Sequence, residues 1–241
     1  WHEPLIVLYL QGEGDPSVTT ASLAIAHTVK TYFPEIEVRA SVNMKIGTVK
    51  GMQYVAHLFD SYCVAKECNR DLPRLRAMKA WAEQNGKKIT ILANSGCMRD
   101  CSGQIFHDNL VAHESEVCEV ENLKDFTPYV CWRMLKNRDN WHMLLENTWI
   151  RPEDLHRYEG IADGVKLATR ISPNPVAILD AYLQGSYSGN TLELLEPNYA
   201  AAFYPTVLDN RAFPADYFDI RHNCGGDCGS CGYCGQRILR R

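Results

Sequence analysis

The sequence predicts an α/β protein on a (β/α)8-like, TIM-barrel plan, incomplete or open, with a cysteine-rich C-terminal tail. Short, nearly continuous apolar runs alternate with helical patterns, the order expected of parallel βαβ units. About six strand-like runs precede the tail, fewer than the eight that a closed barrel needs. Beyond Asn198 the alternation weakens, and the last stretch, after Arg221, carries Cys224, Cys228, Cys231 and Cys234 with little apolar matter around them. The expected division is a barrel-like domain over 1–197 and an extension over 198–241.

The elements follow in order. LIVLYLQ at 5–11 reads as a buried strand, and GEGDPS supplies a turn. Residues 17–33 carry apolar groups at helical spacing and stop at Pro34; IEVRASVN at 36–43 is the next strand. A helix over about 48–59 precedes the strand SYCVAKE at 61–67. The segment 71–86 is the clearest helix, with Asp71 as cap, Pro73 early and Gly86 at its end. KKITILAN at 87–94 returns as a strand. NTWIRPEDLHRYEGIADGVKLATR at 147–170 reads as strand, helix and strand, with Pro152 and Glu153 opening the helix, and 171–185 is a further helix.

Composition narrows the function classes. The net charge of -4 offers no global field for a polyanion, so a small-molecule substrate is favoured over nucleic acid. No apolar run approaches the roughly 18 residues of a membrane span. The chain begins at Trp1, which leaves room for an upstream portion. Ten cysteines in a core-rich chain read as metal ligands in a reducing, cytoplasmic setting; disulfide scaffolds are usually small and poor in core.

The tail has the spacing C-x3-C-x2-C-x2-C with glycines between the thiols. Glycine lets backbone approach an inorganic core and leaves amides free to donate to its sulfides. Structural zinc sites usually combine two short cysteine pairs across a longer loop, whereas these four cysteines crowd one segment as in ferredoxin runs. An iron–sulfur cluster is the first reading and zinc the second.

Cys97 and Cys101 follow the strand 87–94, where parallel α/β folds place their chemistry. Their three-residue gap departs from the C-x-x-C of thiol redox enzymes. With Cys131 and Cys224 they form a candidate four-ligand set, although Cys131 also suits a buried apolar position. Cys118 lies among acidic residues and ranks lower; Cys63 reads as core, and Cys68 as core or site mouth. His107 and His113 are candidates for ligation or proton transfer. Glu67, Asn69 and Arg70 after one strand, and Lys166 and Arg170 at another, suit substrate binding or a salt-bridged surface.

Three passages resemble the peptidase U32 family: residues 39–75, residues 89–104 with Cys101-Ser102-Gly103-Gln104 as the sharpest piece, and residues 147–170, ending Lys166-Leu167-Ala168-Thr169-Arg170 where that family usually has Lys-Ile-Glu-Gly-Arg. The resemblance implies a complete or incomplete barrel and a [4Fe-4S] cluster held by four cysteines. It also implies oxygen-independent hydroxylation in quinone biosynthesis or of RNA bases, beside members once called collagenase-like peptidases. Cys97, Cys101 and Cys131 match the cysteine-bearing region, and Arg170 the terminal arginine. Ala168 stands where the family has glutamate, and the cysteine-rich tail departs from the common pattern.

The resulting expectation is an iron–sulfur redox or hydroxylation enzyme with one or two [4Fe-4S] clusters. Cys97, Cys101, Cys131, Cys224, Cys228, Cys231 and Cys234 are the ligand candidates, and Lys166, Arg170, Glu67 and His107 the catalytic ones. The alternative is an electron-transfer or scaffold protein that works with a protein partner or electron donor. A peptidase ranks third, because the sequence holds neither HExxH nor GxSxG.

Overall fold

The computed structural model describes residues 16–112 and 129–238. Five parallel strands form one sheet in the order β1 (Ser17–Thr20), β2 (Glu37–Ala40), β3 (Ser61–Cys63), β4 (Lys88–Leu92) and β5 (Gly164–Lys166). Strand order follows chain order without reversal, as in a barrel and unlike a doubly wound sheet with its switch point. Among the described residues no strand joins β5 back to β1, so the (β/α) barrel is open and incomplete.

Helices α1 (Leu23–Tyr32), α2 (Val49–Tyr54) and α3 (Leu72–Gln84) lie in the first three crossovers. The caps are local: Ser22 Oγ accepts from the Ile25 amide at 3.3 Å and Asp71 from the Arg74 amide at 3.0 Å. Gly86, at φ +62°, turns the chain after α3. The β4–β5 connection is long and includes α4 (Gln104–Ala112), α5 (Val130–Leu135), α6 (Met143–Glu146) and a 3-10 turn at Pro152–Tyr158. Beyond β5 come α7 (Pro175–Gln184), α8 (Ala200–Phe203), α9 (Tyr217–Asn223), α10 (Cys228–Cys231) and α11 (Tyr233–Ile238).

Three sequence expectations change. Residues 17–20 are a strand and not the first turn of a helix, because the β-branched run Val18-Thr19-Thr20 pairs with β2 and Ser22 starts the helix afterwards. The third strand stops at Cys63, and Lys66–Arg70 folds into a 3-10 turn. Residues 147–150 are buried next to β4, with the Ile150 amide donating to the Ala93 carbonyl at 2.7 Å, but they form no sheet strand. The strand expected at 5–11 lies outside the described residues.

Two apolar cores result. The larger packs Val38, Tyr62, Ile89 and Ile91 of the sheet against Ala26, Met52, Leu75, Met78 and Ile178 of the helices. The second gathers Met98, Leu144, Trp149, Tyr199, Tyr217 and Cys234, with Cys101 and Cys131 packed against it. This second core adjoins the segment that follows β4, and it takes Cys101 and Cys131 from one set of cysteines and Cys234 from the other. No helix among the described residues is long and apolar enough to cross a membrane.

Two carboxylates tie strands to their neighbours. Asp60 accepts from the Val38 amide at 2.9 Å and from Lys30, and Asp163 accepts from the Ile89 amide at 2.8 Å and from Lys79. Burial alone would raise both carboxyls, but the lysines and amides outweigh it and hold both below the ordinary carboxylate value. Their folded pKa values are depressed, so the stability they confer is present above the unfolded value of about 3.9 and is lost as pH falls through the folded values. Urea unfolding between pH 7 and pH 2 is expected to show a loss of stability below about pH 4, and Asp60→Asn with Asp163→Asn to flatten that part of the profile.

Candidate functional site

The site is built from the buried turn Lys66–Arg70, which places polar side chains among carbonyls that water does not reach. Lys66, only 3% exposed, donates to the Met98 carbonyl at 3.0 Å and approaches the Cys97 carbonyl at 3.5 Å, while pairing with Glu67 at 3.0 Å. Asn69 donates to the carbonyls of Leu92 and Thr148 at 2.8 and 3.0 Å. Arg70 Nη2 donates to the carbonyls of Asn147 and Trp149 at 2.9 and 3.0 Å. Asn69 and Arg70 therefore carry structure and do not form the salt-bridged surface or substrate-binding edge that their sequence position suggests.

These bonds fix the segment after β4. Fully buried Asn147 clamps it, donating to the Gly96 carbonyl at 2.9 Å and accepting from the Arg99 amide at 3.1 Å. Gly96 is required sterically, since a Cβ there would lie 2.9 Å from the Pro197 carbonyl oxygen and 3.0 Å from the Tyr199 ring. Cys97 and Cys101 follow. The chain at Gly103 packs on α5, where a Cβ on that glycine would stand 3.0 Å from Val130 Cγ2 and 3.8 Å from Cys101 Sγ. Cys131, the next residue of α5, is thereby brought to the same place.

Tyr199 is the centre of this thiol set. Fully buried, its hydroxyl donates to the Gly96 carbonyl at 3.2 Å and is hydrogen-bonded to the Cys131 thiol. Burial, and the nearby Cys131, Cys97 and Cys101, push the phenol far above its ordinary value. Burial also raises the Cys97 and Cys131 thiols; Lys66 opposes the rise at Cys97, and Tyr199 opposes it at Cys131.

The tail forms a second set. Cys224, Cys228, Cys231 and Cys234 line a cavity of about 240 Å³ together with Arg221, His142 and Glu146. Positive φ values of +79° at Gly226 and +63° at Gly232 turn the chain between the thiols, the use expected of these glycines. Burial pushes the Cys234 thiol up to about 11. Arg221 Nη1 donates to Cys224 Sγ at 3.2 Å. The structure thus places Cys224 with the tail and not with Cys97, Cys101 and Cys131.

The two sets are neighbours. Arg99, between Cys97 and Cys101, lies 3.8 Å from where a Cβ of Gly226 would stand. Glu146 faces the tail cavity, and the next residue, Asn147, clamps the other thiol segment. Among the described residues no three His, Cys, Asp or Glu side chains stand close enough to hold a single metal ion. A single zinc draws four sulfurs into a tight tetrahedron at about 2.3 Å from the metal. The four cysteines in the lining of the tail cavity are donors of the type that either zinc or an iron–sulfur core takes.

The other sequence candidates are dispersed. Glu67 is spent on Lys66, and His107 on α4 meets the Tyr129 ring edge-on at 5.0 Å. Lys166 ends β5 in an exposed position; burial raises the Glu196 carboxyl, and the Ile171 amide and exposed Arg170 only partly offset it. Ala168 exchanges both backbone hydrogen bonds with the Asn94 side chain at 2.6 and 2.7 Å. Cys63 and Cys68 are core residues; burial pushes the Cys68 thiol up to about 11, and Cys68 also lines a cavity with Glu67 and Arg74. His113 and Cys118 lie outside the described residues. Ser172 Oγ accepts from the Asn174 amide at 3.2 Å, a local turn and no catalytic pair.

The chain is 30% identical over 151 residues to a Methanocaldococcus jannaschii protein described as an uncharacterized protease, a match that covers 61% of this chain. The match is in keeping with the resemblance to the peptidase U32 family that the residues carry. The chain spans 43% of that relative's length. No family model matches the chain, and no solved structure matches it. The site residues that sequence reasoning missed are Lys66, Asn147, Tyr199 and Arg221.

Asn147→Ala is expected to leave the Arg99 amide without this partner and the Gly96 carbonyl with the Tyr199 hydroxyl in place of two donors. The loss is about 2–4 kcal/mol in urea unfolding, with faster alkylation of Cys97 and Cys101 mapped by mass spectrometry. Unchanged stability and unchanged labelling would show that Asn147 is no clamp.

Proposed function

We propose that this U32 relative is an iron–sulfur protein that carries out oxygen-independent redox chemistry or hydroxylation on a small molecule or nucleobase. The observation that carries the reading is the gathering of Cys97, Cys101 and Cys131 around buried Tyr199, just beyond the C-terminal end of β4. In parallel α/β folds that end of the strands is where substrates are bound and transformed. The thiols suit an iron–sulfur donor set, and three of them are one fewer than the four cysteines of a fully coordinated cluster. Such a set leaves a coordination position for substrate or another donor.

When bound there, a [4Fe-4S] cluster supplies one-electron redox chemistry that side chains lack. The chain's own residues bind and orient. Lys66 fixes the Cys97–Met98 carbonyls and puts positive charge beside the thiols. Tyr199 holds Cys131 by its hydroxyl, and the second apolar core limits water on that side. Lys166 and Arg170 remain proposals for attracting an anionic substrate.

The tail supports a second reading as an electron-transfer module served by a protein partner, because its four thiols are a full ligand complement. On either reading the tail is an electron entry point next to the first set.

Iron, acid-labile sulfide and zinc per chain, measured on protein purified without oxygen, test the proposal. About eight irons and eight sulfides are expected for two clusters. Cys97→Ser with Cys101→Ser, or Cys228→Ser with Cys231→Ser, should each remove about half. Zinc without sulfide would overturn the reading.

A further inference from the structure

Arg221 is out of place for an ordinary arginine. It is 3% exposed, and among the described residues it forms no ion pair. Nη1 donates to Cys224 Sγ at 3.2 Å, while Nε and Nη2 are buried without a hydrogen-bond partner. A guanidinium cannot shed its charge in a protein, and a buried charge without a counter-charge is strongly destabilising. Its neighbours are Tyr217 and the thiols of Cys234, Cys224 and Cys228.

The arginine is also held firmly. Helix α9 is anchored by buried Tyr217 and Phe218. His222, the next residue, has Nε2 2.9 Å from the Tyr158 hydroxyl and 3.0 Å from the Asn69 carbonyl oxygen, which ties α9 to the Lys66–Arg70 turn. Glu146, also lining the cavity, is engaged by His142 at 2.6 Å. Arg99 reaches Gly226 at the cavity's edge and pairs with Asp100, so the buried side chain that sets a fixed positive charge against the thiols is Arg221.

We propose that the tail cavity is an iron–sulfur site whose negative charge is balanced by the buried Arg221 guanidinium, which sets both its loading and its reduction potential. The inference rests on the iron–sulfur reading above and adds to it the residue that controls the second site. Four thiolates outweigh the positive charge of an oxidised cubane core, and reduction adds one electron and no atom, so the reduced state is the more negative. A fixed positive charge with N–H groups at the sulfur favours that state and raises the potential. Arg221 is a positioning and tuning residue and does not touch substrate.

The test uses the full chain, purified without oxygen, and an EPR-monitored redox titration with dithionite as the one-electron reductant. The tail signal is the one abolished by Cys228→Ser with Cys231→Ser. Arg221→Met is expected to lower its reduced-to-oxidised ratio about tenfold at fixed potential, about 59 mV for one electron. The internal signal should not move, and Arg221→Lys should stay near the parent. Loss of tail iron and sulfide in Arg221→Met, with internal cluster and circular dichroism retained, also supports the proposal if Arg221→Lys restores loading.

An unchanged tail potential in a fully loaded Arg221→Met protein overturns it. So does a folded Arg221→Lys protein that fails to load, which carries the test should Arg221→Met not fold. Zinc in the tail beside an intact internal cluster overturns this inference alone. Absence of iron and sulfide from the parent protein instead overturns the reading beneath it.

Discussion

Hydrogen bonding of buried carbonyls by the Lys66–Arg70 turn is the constraint on which the rest of the structure depends. An irregular segment inside a protein exposes backbone oxygens that must find donors. Lys66 serves the segment of Cys97 and Met98, Asn69 serves the end of β4 and Thr148, and Arg70 serves Asn147 and Trp149. The Asn69 carbonyl in turn accepts from the Tyr158 hydroxyl at 2.6 Å. One short turn thus fixes the thiol segment, the Asn147 clamp and, through Tyr158 and His222, the helix that carries Arg221.

The open barrel explains where the thiols go. The chain leaves β4 and travels through α4, α5 and α6 before it returns as β5. That excursion carries Cys97, Cys101 and Cys131, and its apolar residues join those of α8 and α9 in the second core. The tail then settles on the same core through Cys234 and partly buried Tyr233. The open barrel agrees with what the U32 resemblance implies, while the tail departs from the pattern of the resembled family.

Much of the fold was legible in the sequence because apolar period and capping chemistry are local. The helix bounded by Asp71 and Gly86 is an example, observed as Leu72–Gln84. The misread segment 17–20 shows the limit: Val18, Thr19 and Thr20 fit a helical stripe, but pairing with β2 is a tertiary effect that decides for strand. At the site, Cys97 and Cys101 were legible from their place after a strand. Cys131, 30 positions after Cys101, joins them through the packing of Gly103 on Val130, which no spacing encodes. Cys224 lines the tail cavity with Cys228, Cys231 and Cys234, as the tail spacing suggests. Arg221 and Tyr199 carry no local signature, since each acquires its role from burial next to thiols contributed by other segments.

Electron paramagnetic resonance of the fully reduced protein, compared with variants lacking either thiol set, most directly tests whether two clusters sit side by side on one core. The variants are Cys97→Ser with Cys101→Ser, and Cys228→Ser with Cys231→Ser. Adjacent clusters predict a parent spectrum broadened and split by spin–spin coupling, which the two variant spectra do not reproduce when added. A parent spectrum equal to that sum, or a signal that only one of the two thiol sets can account for, would contradict the paired arrangement.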